Sequence, residues 1–330
     1  MSELVLVTGA GGYLAMHVVN VFLQNGHRVR GTVRNLNDIK KIEALRSLAS
    51  EDRLELVEAD LLNKNSWPAV MKDVTLVCHV ASPFPSAPVQ DENILIRPAL
   101  DGTLNVLNAA YESKTVKRVV LTSSTIAIVG YTPENRVYTE SDWPNPDTQF
   151  AYGKSKILAE KAAWDFVEDK KKLNQKVFEL SVINPSFILG PTLHGQETVL
   201  GTSESRVLNL LDGSVEKIPK FNVCLCDVRD VALAHYKAAF LQEAVGQRHA
   251  IMTIPERVSM KEIADILNEE FGHKGFKIPK EEDTNGMLSK GSVDNSRMLN
   301  VLGINPIPIK QTLSDMVNSF IQNGLLKKAE

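Results

Sequence analysis

The sequence predicts an α/β fold built on a doubly wound parallel sheet, and three observations predict it. Short Val/Leu/Ile-rich runs alternate with helix-length amphipathic segments through the first half of the chain. The runs lack regular polar alternation, as strands covered on both faces do. The first run passes into a glycine-rich turn and then into a helix pattern.

The expected strands cover residues 4–7, 29–33, 54–57, 74–80, 119–121 and 178–183. Ala15, Val18, Val19 and Phe22 share one helical face, as do Ile39, Ile42, Leu45 and Leu48. Asn25-Gly26 reads as a helix C-cap, so the second strand can begin at Arg28. After Pro185 the periodicity weakens. A helix is expected over 204–211, a strand over 223–225, and a helix over 231–241 that returns to the sheet. Ser259 with Glu262 forms a capping box for a helix reaching Phe271, and two further helices are expected in the last 60 residues. The organisation expected is a nucleotide-binding domain over 1–185, with 221–250 returning to it. A smaller substrate-binding lobe would comprise 186–220 and 251–330.

Composition excludes several classes. With 330 residues, 43% hydrophobic, 23% charged and a net charge of -3, there is no general electrostatic case for nucleic-acid or membrane-surface binding. No apolar run approaches the roughly 20 residues of a membrane-spanning helix. Neither a leader segment nor a lipidation motif is read at the termini. Cys78, Cys224 and Cys226 read as buried free thiols, since Cys224-Leu225-Cys226 is too tight for a zinc knuckle; no metal is expected. Asn184-Pro185-Ser186 is excluded as a glycosylation acceptor by its proline. The expectation is a cytoplasmic protein, monomer or homodimer, acting on a small molecule.

The glycine-rich turn is Thr8-Gly9-Ala10-Gly11-Gly12-Tyr13-Leu14-Ala15, spaced Gly-x-x-Gly-x-x-Ala. Gly9 permits the sharp turn, Gly12 removes a side chain where backbone must approach a pyrophosphate, and Ala15 lets the helix pack on the strand. At the tip of the second strand an NAD-selective site would carry Asp or Glu. Here the strand ends Gly31-Thr32-Val33-Arg34, with Lys40 and Lys41 following and Asp38 too far along. A guanidinium with an ammonium nearby suits a 2'-phosphate, so NADPH/NADP+ is the expected cofactor. Asp60, after the third strand, is placed to meet the adenine or to serve as a turn or N-cap residue.

Tyr152-Gly153-Lys154-Ser155-Lys156 opens a helix, which sets Tyr152 and Lys156 one turn apart on a shared face. An ammonium beside a phenol favours the phenolate, lowering its pKa from about 10 and making Tyr152 a general acid for a carbonyl oxygen. Lys154 should point elsewhere. The run Thr122-Ser123-Ser124 ends the preceding strand, where ligands of parallel sheets sit. Ser124 would hold the substrate oxygen against Tyr152; Ser123 competes for that role, and either serine could instead cap a turn.

On these residues the chain resembles an extended short-chain dehydrogenase/reductase of the dihydroflavonol reductase and cinnamoyl-CoA reductase-like branch, a Rossmann-fold family. The resemblance also rests on His79-Val80-Ala81-Ser82-Pro83, Leu158-Ala159-Glu160-Lys161, Asn184-Pro185, Gly190-Pro191 and Asp227-Val228-Arg229-Asp230-Val231-Ala232. It implies a Ser124/Tyr152/Lys156 triad, Arg34 on the 2'-phosphate and the small C-terminal lobe as substrate pocket. It also implies cofactor contacts from Thr8, Gly9, Gly11, Gly12, Tyr13, Leu14, Lys41, Asp60, Leu61, Val80, Ala81, Ser82, Ser123, Pro185 and Ile188, besides Tyr152 and Lys156. Phe84, Tyr131, Phe187, Leu193 and His194 fall in pocket-shaping loops, where packing is the stronger reading; His235 reads as a packed helix residue. The expected reaction is hydride transfer from NADPH to an aldehyde or ketone. The alternatives are a hydroxysteroid- or nucleotide-sugar-type dehydrogenase or epimerase of the same superfamily, and a non-catalytic NADP-binding redox sensor.

Overall fold

The computed structural model describes residues 2–82, 91–131, 133–195 and 200–326, with the side chains of Lys40 and Lys41 outside that description. Its main sheet has seven strands: β1 Leu4–Val7, β2 Arg28–Val33, β3 Leu54–Glu58, β4 Leu76–His79, β5 Arg118–Thr122, β6 Glu179–Pro185 and β7 Arg248–Ile251. They lie in the order β7-β6-β5-β4-β1-β2-β3, every neighbouring pair parallel. The order reverses between β1 and β4, the crevice where a doubly wound Rossmann sheet receives its ligand.

Strand side chains alternate between two layers. Val5 and Val7 join the core beneath α1 (Tyr13–Gln24), whereas Leu6 joins the core on the other face, with Val106 and Leu107 of α3 (Asn93–Ser113). Val120 against Val119 and Leu121 repeats the alternation on β5. Both faces are therefore apolar, which is why the strands read as continuous hydrophobic runs. The second layer on the α1 side is α6 (Val228–Phe240); the other face also carries α4 (Ala151–Lys172). Between α1 and α3 runs α2 (Ile39–Arg46), and between α4 and α6 runs α5 (Thr202–Asp212).

A separate apolar core joins Val207, Leu210 and Leu211 of α5 to Ile263 and Leu267 of α7 (Met260–Phe271) and to Leu313, Val317 and Phe320 of α8 (Ile309–Gln322). The expected capping box is present, with Ser259 Oγ accepting from Glu262 N at 3.1 Å and the Glu262 carboxylate accepting from Ser259 N at 2.7 Å. Met298, Leu302 and Ile304, from the late part of the chain, pack instead into the main-sheet core.

Two expectations need correction. The single strand over 223–225 is two short strands. Asn222–Val223 pairs antiparallel with Val258–Ser259, and Leu225–Asp227 pairs parallel with Phe187–Leu189, so Cys224 sits where the chain changes partner. The helix expected over 231–241 begins at Val228, because the Asp227 carboxylate accepts from Arg229 N at 2.8 Å and caps it. All three cysteines are free and buried. No helix among the described residues is long and apolar enough to cross a membrane.

The sheet edge and α4 are joined by a buried ion pair. Arg248 Nε meets Glu160 Oε1 at 2.6 Å, with 7% and 0% of the two side chains exposed. The same guanidinium donates to the carbonyls of Glu140, Asp142 and Ala127 at 2.8, 2.7 and 2.8 Å. Arg248→Met would strand a buried carboxylate and three carbonyls. The expected loss is about 3–5 kcal/mol of unfolding free energy, read from urea denaturation monitored by circular dichroism.

Candidate active site

The site forms at the carboxyl ends of β1, β2, β4, β5 and β6. Gly9, immediately after β1, has φ +65°, and a Cβ there would stand 2.9 Å from the Ala81 Cβ in the loop after β4. Glycine is thus required twice, by conformation and by approach. Thr8 is fully buried beneath the turn. Its Oγ1 accepts from Ala81 N at 3.0 Å and pairs with His79 Nδ1 at 2.9 Å, so its hydroxyl braces the turn from below. Gly11 is half-buried and Gly12 exposed, and Gly12 opens α1 with no side-chain cap and no acidic residue in the first turn. The leading N–H groups of α1 are therefore a natural anion seat.

Tyr13 turns away from the crevice, its hydroxyl donating to Gly190 O at 2.7 Å, and Leu14 is buried against the sheet. Arg34 is exposed just beyond β2, whose register with β1 pairs Val7 with Gly31. The Lys41 side chain lies outside the described residues, as do Pro83 and Phe84. Asp60 is exposed, and its Oδ1 accepts from Leu62 N at 2.8 Å, the turn role weighed above. Leu61 packs on Gly102, where a Cβ would come within 2.9 Å of the Leu61 Cβ. Pro185 ends β6, its carbonyl accepting from Thr125 N at 2.9 Å, and Ile188 follows in the short strand beside Cys226. Val80, half-buried, packs against the α1-side core.

The two serines separate cleanly. Ser124 is half-buried and its hydroxyl is hydrogen-bonded to the Tyr152 phenol. Ser123 points the other way, into a small cavity lined by His79, Ala81, Ser82, Thr103 and Lys156, where its Oγ has no hydrogen-bond partner among the described residues. Lys154 does point elsewhere, its Nζ 3.0 Å from Glu92 Oε1.

The electrostatics differ from the simple expectation for a phenol beside an ammonium. Burial pushes the Tyr152 phenol up from its ordinary value; the Ser124 hydrogen bond opposes this and the Tyr131 phenol adds to it. Lys156 is pulled down to about 8 by burial, with the Glu160 carboxylate opposing. His79 is lowered to about 3, by burial first and by Lys156 second, so it is a neutral imidazole at physiological pH. Burial is the leading cause for both the phenol and the amine, and it disfavours the charged form of each.

Three supporting features were not read from sequence. Asn184 Nδ2 donates to Ser124 O at 3.2 Å and to Glu160 Oε2 at 2.8 Å, which fixes the serine turn to α4. Gly153 admits the Tyr131 ring, since a Cβ there would lie 2.9 Å from Tyr131 Cε2. A glycine in the first turn of a long helix was the available signal for that close approach. His194, which had read as packing, reaches Gly11 O with Nε2 at 3.2 Å. His235 is a packed helix residue, bonded to Thr122 Oγ1 at 2.7 Å and to Val231 O at 2.8 Å. Among the described residues no cluster of His, Cys, Asp and Glu is placed to hold a metal ion.

Residues 5–251 match the model of the NAD dependent epimerase/dehydratase family. The chain belongs to that family. Within it the chain falls in the extended short-chain dehydrogenase/reductase group, on the dihydroflavonol reductase and cinnamoyl-CoA reductase-like branch. Cinnamoyl-CoA reductase CAD2 of Medicago truncatula is 39% identical over 280 residues, covering 82% of this chain and 81% of its own.

 An uncharacterized oxidoreductase of Schizosaccharomyces pombe is 37% identical over 312 residues, covering 89% of this chain and 90% of its own. The crystal structure of yeast methylglyoxal/isovaleraldehyde reductase Gre2 complexed with NADPH is 31% identical, superposes with a TM-score of 0.84, and covers 98% of this chain and 100% of that one.

The depressed Lys156 amine has a measurable consequence. An unfolded lysine titrates near 10.5 and the folded one at about 8, so below pH 8 the native state bears the whole penalty of a buried charge. Between pH 8 and 10.5 the native state sheds a proton that the unfolded chain keeps, and wild-type stability rises relative to a variant without the amine. Lys156→Met is expected to be more stable than wild type at pH 7, by on the order of 3 kcal/mol. That gap should close as urea unfolding is repeated up to pH 10.5.

Proposed function

We propose that this chain reduces an aldehyde or ketone to the corresponding alcohol with NADPH, using Tyr152 as general acid, Ser124 as the group that orients the carbonyl oxygen, and Lys156 as their charged neighbour. The chain is an NADPH-dependent oxidoreductase of the extended short-chain family. The observation that carries the finer reading is the hydrogen bond between the Ser124 and Tyr152 hydroxyls, at the strand ends beside the glycine turn.

The residues present fit a dinucleotide. Gly9 holds a left-handed backbone at φ +65°, and Gly12 leaves the α1 N-terminus bare, which suits a pyrophosphate. Arg34 is exposed at the β2 tip, where a guanidinium would take a 2'-phosphate. Lys156, on the same face of α4 as Tyr152, would hold ribose hydroxyls. Bound NADPH supplies the hydride that reaches the carbonyl carbon.

The protein's own part is proton delivery and orientation. Two hydroxyls converge on one point, so an oxygen accepting from both is held where negative charge develops. Tyr152 then gives its proton to that oxygen. Lys156 stabilises the phenolate left behind, which offsets the burial that otherwise keeps the phenol protonated. Support for a carbonyl substrate also comes from the relatives, whose names describe reductases of cinnamoyl-CoA, methylglyoxal and isovaleraldehyde.

Purified protein is expected to consume NADPH absorbance with members of an aldehyde and ketone panel. Tyr152→Phe should lower kcat by roughly 10²–10⁴-fold while leaving NADPH binding within a few-fold. Near-normal turnover by Tyr152→Phe would sink the proton-donor assignment. Separately, Arg34→Asp should weaken NADPH relative to NADH by about 10–100-fold, as expected when a charge-assisted pair worth about 1.5–3 kcal/mol becomes a repulsion. An unchanged ratio of kcat/KM for the two cofactors would remove Arg34 from the 2'-phosphate site.

A further inference from the structure

The segment 190–194 is bonded on both sides. Towards the glycine turn, Tyr13 donates its hydroxyl to Gly190 O at 2.7 Å, His17 Nε2 meets Pro191 O at 2.9 Å, and His194 Nε2 meets Gly11 O at 3.2 Å. A carbonyl only accepts, so Nε2 of His194 carries the proton. Towards the second lobe, Thr192 N donates to Ser319 Oγ at 2.9 Å and Asn323 Nδ2 donates to Thr192 O at 3.1 Å, both on or just after α8.

His194 also faces α5. Its Nδ1 lies 3.6 Å from Glu204 Oε1, with 5% and 0% of the two side chains exposed, and neither atom has a hydrogen-bond partner among the described residues. The other oxygen of Glu204 accepts from Gly201 N at 3.0 Å and closes the cap of α5. A buried acid and imidazole are costly to place without purpose. Here they make a chain of close contacts from the Gly11 carbonyl through the imidazole and the carboxylate to the N-terminus of α5, its middle link a 3.6 Å approach and its outer links hydrogen bonds.

We propose that His194, backed by Glu204, is a positioning residue that couples the nucleotide turn to α5, so that filling the nucleotide site orders α5. The inference rests on the nucleotide reading above and adds a coupling between the lobes. Coupling through a shared rigid contact is reciprocal: whatever the nucleotide does to α5, a ligand on α5 does to the nucleotide. His194 touches backbone rather than reacting atoms, so it acts on binding and order rather than on the proton step.

The test is amide hydrogen exchange with and without NADP+, read separately over the turn 8–15 and over α5, 202–212. In the full-length wild-type protein NADP+ is expected to slow exchange in both. In His194→Leu protection should persist at the turn but fall at least threefold short in α5, and the NADP+ Kd should rise about tenfold. His194→Gln, whose amide can still donate to Gly11 O, should keep the Kd within threefold. Tyr13→Phe, which removes only one hydroxyl, is the companion variant should His194→Leu fold poorly; it should lose part of the α5 protection with its melting temperature kept. Protection of α5 that is equal in wild type, His194→Leu and Tyr13→Phe overturns the coupling. So does protection of the wild-type turn without any in α5. If NADP+ protects neither segment in wild type, the nucleotide reading itself fails, and this one with it.

Discussion

Glu160 is a fully buried carboxylate on the helix that carries Tyr152 and Lys156, and the arrangement of the crevice depends on how its charge is met. Arg248 answers it from β7 with bonds of 2.6 and 3.3 Å, and Asn184 answers it from β6 at 2.8 Å. Because Asn184 also holds the Ser124 carbonyl, one carboxylate ties together the helix of the Tyr–Lys pair, the serine turn and the far edge of the sheet. An ion pair of this kind adds little net stability over apolar packing, yet removing one partner is expensive. Its consequence is geometric: α4 is held at a single depth and rotation against the sheet.

Burial sets the state of Lys156, and the same carboxylate opposes it. Tyr152, Lys156 and Glu160 follow one another at intervals of one turn, so the amine lies between a phenol and an acid. Arg248 shares that carboxylate, and burial outweighs the attraction of Glu160: the amine falls to about 8. A lysine so placed has less hold on its own proton, and a nearby phenolate would restore it. The buried tyrosine is affected oppositely: burial raises the phenol and lowers the amine, disfavouring the charged form of each.

Much of this was legible along the chain because it follows from local rules. Apolar runs at strand length, a glycine turn between strand and helix, and Ser259 three residues before Glu262 are patterns of neighbouring residues, and the structure places strands, turn and capping box where those patterns stand. The choice between Ser123 and Ser124 was not legible. Adjacent residues beyond a strand face opposite ways, and only the position of α4 decides which hydroxyl meets Tyr152. Similarly, the run over 223–225 carries ordinary strand residues, and its division came from two partners supplied by distant segments.

The crevice's chemical endowment was therefore determined by sequence alone: a phenol and an amine one helical turn apart, hydroxyls at a strand end, a guanidinium at the next strand's tip. Spacing within one element dictates which side chains share a face, and tertiary packing does not change it. Tertiary structure decided everything that depends on dielectric and on distant partners. Burial set the protonation preferences of Tyr152, Lys156 and His79, and contacts across 183 residues of chain turned His194 from a loop residue into a brace for Gly11. No local pattern encodes either, because desolvation and long-range hydrogen bonds exist only once the chain has folded.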